Sequence, residues 1–296
     1  MVRPRKNPSG GKNKNDLKTT VIIVLFCLAA AQAFLFFHAR KQGAPGAIKA
    51  AAGQAKMVSA KGGSASGGKA VPGSAGKIAF IIDDWGYAMH NCKFLKEITA
   101  PLAVAVLPNL RYTDDIMKCA DVYGKDIMLH LPLEPYANGD HYPDNYLITT
   151  AMKPSKVIAM VDGTLAKMPL VQGVNNHMGS KATEDRELMK IIFKRLKKRG
   201  LFFVDSMTAH HSICGELARE MGMPFASRDV FLDNINTREA IKKQIMELAK
   251  RARKKGYAVA IGHDRALTMQ VLKEEIRTLE DQGFEIVRVK TLLKNQ

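Results

Sequence analysis

The chain has 296 residues, room for one large domain with added segments, and a formal net charge of +17 at neutral pH. Residues 1–18 contribute +5 and residues 38–77 contribute +7, so +12 of that charge lies outside the part patterned to fold. The remainder is mildly basic and carries no nucleic-acid motif, which excludes nucleic acid as the expected partner.

Residues 19–37, TTVIIVLFCLAAAQAFLFF, are uncharged and mostly apolar, just long enough to cross a bilayer core. Arg3, Arg5, Lys6, Lys12, Lys14 and Lys18 precede them and keep that end cytoplasmic. The segment reads as a single-pass signal-anchor in a bacterial inner membrane, with the rest of the chain in the periplasm or cell-wall space. Ala31-Gln32-Ala33 has the form of a signal cleavage site. The apolar run continues through Phe34–Phe37, which favours an uncleaved anchor. Residues 38–76 are dominated by Gly, Ala, Ser and Lys and cannot bury enough apolar surface to fold, so they read as a disordered, flexible linker. The expected organisation is a basic tail over 1–18, an anchor over 19–37, a linker over 38–76 and a folded domain over 77–296.

From residue 78 onward short apolar runs alternate with helical patterns. The runs predict strands at 78–82, 102–107, 126–130, 170–174, 201–204, 224–227, 257–261 and 284–289. Helices are predicted at 90–98, 112–123, 155–167, 184–199, 210–221, 237–255 and 267–282. In helix 184–199, Leu188, Ile191, Ile192 and Leu196 form a one-sided stripe, and Gly200 ends it. Thr237 is the expected cap of helix 237–255. Segment 131–154 contains four prolines and reads as an ordered loop. Strand–helix alternation of this length implies one parallel sheet, open or closed into a barrel of about seven or eight strands. Cys92, Cys119 and Cys214 allow at most one disulfide; no zinc spacing is present, and buried packing is the expectation.

Seven of the runs end in residues capable of chemistry, and in parallel α/β folds such strand ends form the active site. Asp83-Asp84 end the first run; Gly86 permits a turn that brings both carboxylates to one side, one as base and one as metal ligand. Trp85 either stacks on a sugar ring or packs. His130 and Glu134, in HLPLE, can both ligate a divalent metal beside Asp84. In NNHMGS, Asn175 and Asn176 can donate to substrate or an oxyanion, and His177 is a ligand or an acid–base group. Asp205 can orient a histidine and Ser206 can bind substrate; no G-x-S-x-G elbow surrounds that serine. Arg228 and Asp229 form either an arginine beside a catalytic carboxylate or a structural ion pair. His263 sits where a general acid protonates a leaving group.

The strings IAFIIDDWGY, AVLPN, IMLHLPLEP, GVNNHMGS, LFFVDS, RDVFLDN and AIGH, in this order, resemble the divergent polysaccharide deacetylases over about residues 77–292. The resemblance implies an α/β fold, a deformed (β/α) barrel. It implies an exported metal-dependent hydrolase that removes acetyl groups from an N-acetylated envelope polysaccharide of the peptidoglycan type. In it Asp83 would be the base, Asp84 a ligand of a divalent metal, expected to be zinc, and His263 the acid. HLPLE stands where the parent enzymes carry H-S-x-x-H, which leaves Glu134 or His177 as the further ligand beside His130. No Arg stands in NNHMGS where those enzymes carry R-x-P-Y. A barrel that binds envelope glycan or protein without catalysis, or that hydrolyses another bond, is the alternative.

Overall fold

The computed structural model describes residues 74–136 and 146–293. The tail, anchor and linker expected over 1–73 lie outside the described residues. Among those described, no helix is long and apolar enough to cross a membrane.

Among the described residues, nine strands and seven α-helices follow one another. They are β1 (Gly76–Trp85), α1 (Cys92–Glu97), β2 (Ala103–Val106), α2 (Thr113–Val122), β3 (Asp126–Leu133), α3 (Pro154–Lys167), β4 (Gly173–Met178) and α4 (Arg186–Lys198). Then come β5 (Phe202–Asp205), α5 (Cys214–Met221), β6 (Phe225–Ser227), β7 (Val230–Phe231), α6 (Arg238–Lys255), β8 (Tyr257–His263), α7 (Ala266–Asp281) and β9 (Phe284–Ile286). Each strand and helix predicted from residue 78 onward has a counterpart, with β4 at Gly173–Met178 where 170–174 was expected. β7 was not predicted, because two residues carry no periodicity. β3 runs on to Leu133 through Pro132, three residues into the stretch read as loop. Asp185 Oδ1 caps α4 by accepting from Leu188 N, and Thr237 Oγ1 caps α6 by accepting from Ala240 N.

All pairings are parallel, and the sheet order is β6-β5-β4-β3-β2-β1-β8-β7, with β9 paired to the start of β1. The two outer strands, β6 and β7, are consecutive in the chain. Only Arg228 and Asp229 join them, so the sheet edges lie within three Cα steps, about 11 Å. Arg228 N donates to Asp205 O beside β6, and Asp229 N donates to Val259 O of β8. This two-residue seam bends the sheet into a deformed (β/α) barrel.

The barrel separates two cores. Ala79, Ile81, Ala103, Ala105, Met128 and Val259 are among the residues that fill its inside, where many small side chains suit a narrow lumen. Val287, Val289 and Leu292, which follow β9, join that inner cluster. On the outer face Ile78, Phe80, Ile82, Val104, Val106 and Leu129 pack against the helices. Gly173 belongs to the inner layer because the ring of Phe202 occupies the place of its Cβ, 2.2 Å from where that atom would stand. A disulfide joins Cys92 of α1 to Cys119 of α2. Cys214 is a buried thiol. The expectation of packing alone therefore holds for Cys214 and is corrected for the other two.

Candidate active site

Strand alternation fixes which residues face the barrel axis. Ala79, Ile81 and then Asp83 point inward on β1; Met128 and then His130 on β3; Val259, Ile261 and then His263 on β8. Asp83 is the register partner of His263, and His130 that of Asn175. The topmost inward layer is thus polar: Asp83, His130, Asn175, Ser206 and His263 at one rim.

Asp84 should by alternation point outward. Between Ile82 and Trp85 the β1–β2 register slips by one residue, and Asp84 has φ 65°. A β-bulge with a left-handed residue turns the second carboxylate back over the rim. Gly86, at φ 124°, completes the turn expected there. Asn109, Met178 and Met207 are the other non-glycine residues with positive φ among those described, each at or just beyond the carboxyl end of a strand. Left-handed backbone costs a side-chain-bearing residue roughly 1–3 kcal/mol, and this rim concentrates it.

Asp84, His130 and His177 form a cluster whose ligand atoms all lie within 4.8 Å of one another. Asp84 Oδ1 is 3.3 Å from His130 Nε2 and 3.1 Å from His177 Nδ1, and those two nitrogens are 3.2 Å apart. None of these approaches gives Asp84 Oδ1 an aligned hydrogen bond, so it is a buried oxygen without a partner. Three donor atoms turned toward a common point, one of them orphaned, fit a divalent cation.

Asn175 sets the chemistry of this group. Its Nδ2 donates to Asp83 Oδ1 at 2.8 Å and to Ser206 Oγ at 3.3 Å. A carboxylate only accepts, so the amide orientation follows, and Asn175 Oδ1 faces His130 Nδ1 at 3.0 Å. His130 Nδ1 therefore carries a hydrogen, and Nε2 is the ring atom that would ligate a cation at the cluster. Burial raises the Asp83 carboxyl to about 6, against the pull of His130. Burial also opposes ionisation of Asp84, but His130 and His177 outweigh it and hold that carboxyl far below the ordinary range. Burial and the neighbouring His130 lower His177. Burial disfavours charge on His130, yet Asp83 and Asp84 prevail and raise it.

His263 completes the rim. Its Nδ1 lies 2.8 Å from Asp233 Oδ1, and Nε2 faces Asp84 Oδ2 at 3.8 Å. Asp233 is fully buried and also accepts from His263 N and Thr268 Oγ1. Burial disfavours the imidazolium, but Asp233 outweighs it and raises His263. The sequence reading gave Asp233 no role; the inward alternation of Phe231 and Asp233 was the available signal, hidden by the brevity of β7.

Several expected site residues are placed elsewhere. Glu134 is not in the metal cluster. The chain leaves β3 after Leu133, and the Glu134 carboxylate accepts from Thr150 N, Thr150 Oγ1 and Lys181 Nζ. Asn176 points outward by alternation and holds the loop after β5, bonding Ser206 N, Met178 O and Thr208 Oγ1, so it is no oxyanion donor. Asp205, likewise outward, accepts from Met207 N and Ser212 Oγ and orients no histidine. Ser206 is at the site floor through Asn175. Arg228 donates to Ser206 O and Met207 O and stacks on Phe231, which in turn packs on His263. Asp229 pairs with Lys255 and accepts from Val259 N, a structural role at the seam. Trp85 is fully buried in the outer core and is not available to a sugar.

Fold and rim together define a barrel of the deacetylase type. The chain belongs to the divergent polysaccharide deacetylase family, whose sequence profile matches residues 80–293. A protein of Haemophilus influenzae, described as uncharacterized, is 32% identical over 220 residues, 74% of this chain and 78% of that protein. The uncharacterized YibQ of Escherichia coli K12 is 29% identical over 222 residues, 75% and 69% of the two chains. The crystal structure of the uncharacterized protein ATU2773 from Agrobacterium tumefaciens C58 shares the fold with a TM-score of 0.70 at 21% identity, covering 76% of this chain and 92% of that one.

Proposed function

We propose that the protein is a metal-dependent deacetylase of an N-acetylated envelope polysaccharide, anchored in the inner membrane by residues 19–37 with the barrel outside the cytoplasm. The observation that carries the reaction is the convergence of Asp84 Oδ1, unpartnered and buried, with His130 Nε2 and His177 Nδ1, beside a carboxyl at about 6 and an Asp-backed histidine. A carboxylate and two imidazoles suit zinc. When bound there, the cation would polarise an acetamide carbonyl and a water. Asp83, its carboxylate held by Asn175, takes the proton of the attacking water. His263, with Nδ1–H on Asp233, delivers a proton from Nε2 to the departing amine. The C–N bond breaks, and acetate and a free amino sugar result. The choice of envelope glycan rests on the predicted export and on family membership.

The test is metal content and acetate release by the purified full chain in detergent. About one equivalent of divalent metal is expected in the wild type, and loss of it in Asp84→Ala/His130→Ala. Asp83→Asn should keep the metal and lose on the order of 10²–10⁴ in kcat on acetylated glycan fragments. Wild-type protein that takes up no divalent metal, or releases no acetate when loaded, overturns the reading.

A further inference from the structure

One set of contacts on the rim has no part in the chemistry above. Asn91 precedes α1, a place where an asparagine side chain ordinarily caps the helix. It makes no such bond here. The residue is 1% exposed, and its Nδ2 donates to Asp264 Oδ1 at 2.7 Å. Because the carboxylate only accepts, Asn91 Oδ1 is turned away, and it is buried without a partner. A cap is forgone and a buried acceptor is left unpaired, both unfavourable, while one carboxylate is held in place.

The residue that bears this carboxylate adjoins the reacting groups. Asp264 follows His263 directly, and its amide donates to Asp83 O at 2.9 Å. Its side chain is half-buried, and Asn91 is the one side chain hydrogen-bonded to it among the described residues. Tyr87, in the same β1–α1 loop as Asn91, is 50% exposed. A half-exposed tyrosine in that loop and a fixed carboxylate acceptor suit a ring that has apolar faces and hydroxyl donors at its edge. Three carboxylates around one rim also disfavour an anionic ligand.

Resting on the deacetylase reading, we propose that Asp264, positioned by Asn91, accepts a hydroxyl of the neutral sugar that carries the acetamide, with Tyr87 as that sugar's platform. Asp264 sets substrate choice and not the chemical step.

The experiment compares the zinc-loaded full chain with Asp264→Asn and Asn91→Leu. Two readouts are taken: binding of chitotetraose by calorimetry, and kinetics on chitotetraose against an aryl acetate, which has no hydroxyls. Asp264→Asn should weaken chitotetraose binding about tenfold and raise its KM more than it lowers kcat. The preference for glycan over aryl acetate should fall by a similar factor. Asn91→Leu removes the orphaned oxygen, so it should fold at least as stably and still loosen glycan binding. Unchanged glycan affinity in Asp264→Asn, or equal losses on both substrates, overturns the proposal. A wild type that binds chitotetraose but releases no acetate overturns the deacetylase reading alone; weaker binding by Asp264→Asn then still supports the sugar contact.

Discussion

Asp83 and His263 are register partners on adjacent strands, and their surroundings push them toward opposite duties. In the proposed reaction Asp83 is the base and His263 the acid; burial raises Asp83 to about 6, so kcat/KM should fall as pH drops through that value. A cation on Asp84 favours the carboxylate and moves this acid limb lower. His263 must be protonated, and Asp233 raises it, so the alkaline limb should lie above the ordinary imidazole value. Asp233→Asn removes that support. A pH–rate profile should show the alkaline limb moved to lower pH and kcat reduced by about 10²-fold; an unmoved limb means His263 is not the acid. Much of this rim was legible in the sequence, because apolar runs ending in Asp83, His130, Asn175 and His263 name both the strand and the inward parity. Asp84 and the turn at Gly86 that redirects it were legible, but the bulge that performs the turn was not, since it depends on pairing with β2. Asn176, Asp205 and Trp85 lie on the outward side of the sheet, next to inward residues in sequence, and Glu134 misses the cluster because the chain leaves β3 after Leu133.

At the scale of single elements, α1 is six residues long, too short to be stable without tertiary support. Its tie to α2 through Cys92–Cys119 closes a loop of 27 residues. Cys92→Ser with Cys119→Ser should lower unfolding stability by roughly 3 kcal/mol, read from urea curves of the oxidised protein. No change would mean the bond does not form, as expected of a chain kept in a reducing compartment. Besides Cys27 in the apolar segment, the sequence offered three cysteines and no rule for choosing two; the choice is made by α1 and α2 packing side by side, a contact between elements that local patterning does not record.

For the whole molecule, closure depends on the seam. Asp229 joins the sheet edges through its amide to Val259 O, its Oδ2 to Val259 N and its Oδ1 to Lys255. Asp229→Ala leaves the Val259 amide unpaired and should cost about 1–3 kcal/mol in chemical unfolding, with metal content retained at low denaturant. A loss near zero would show that the edges are held by β6 and β7 packing alone. Strand–helix alternation made the parallel sheet predictable, while closure was set by a two-residue link and a two-residue strand, both below the length at which periodicity speaks.

The position of β1 governs the order in which the molecule can assemble. Its partners are β2, near it in the chain, but also β8 and β9, which end the barrel. A nascent chain emerging from the ribosome at 5–20 residues per second exposes Asp83 and Asp84 many seconds before Tyr257–Ile286 exist to pair with their strand. Until then the N-terminal strand has one edge unsatisfied and the rim has no floor. Folding is therefore dominated by contacts of high sequence separation and should be slow. Asp84, His130 and His177 sit on β1, β3 and β4, which are joined through β2, so they can gather early, whereas His263 on β8 closes the rim only with the last strands.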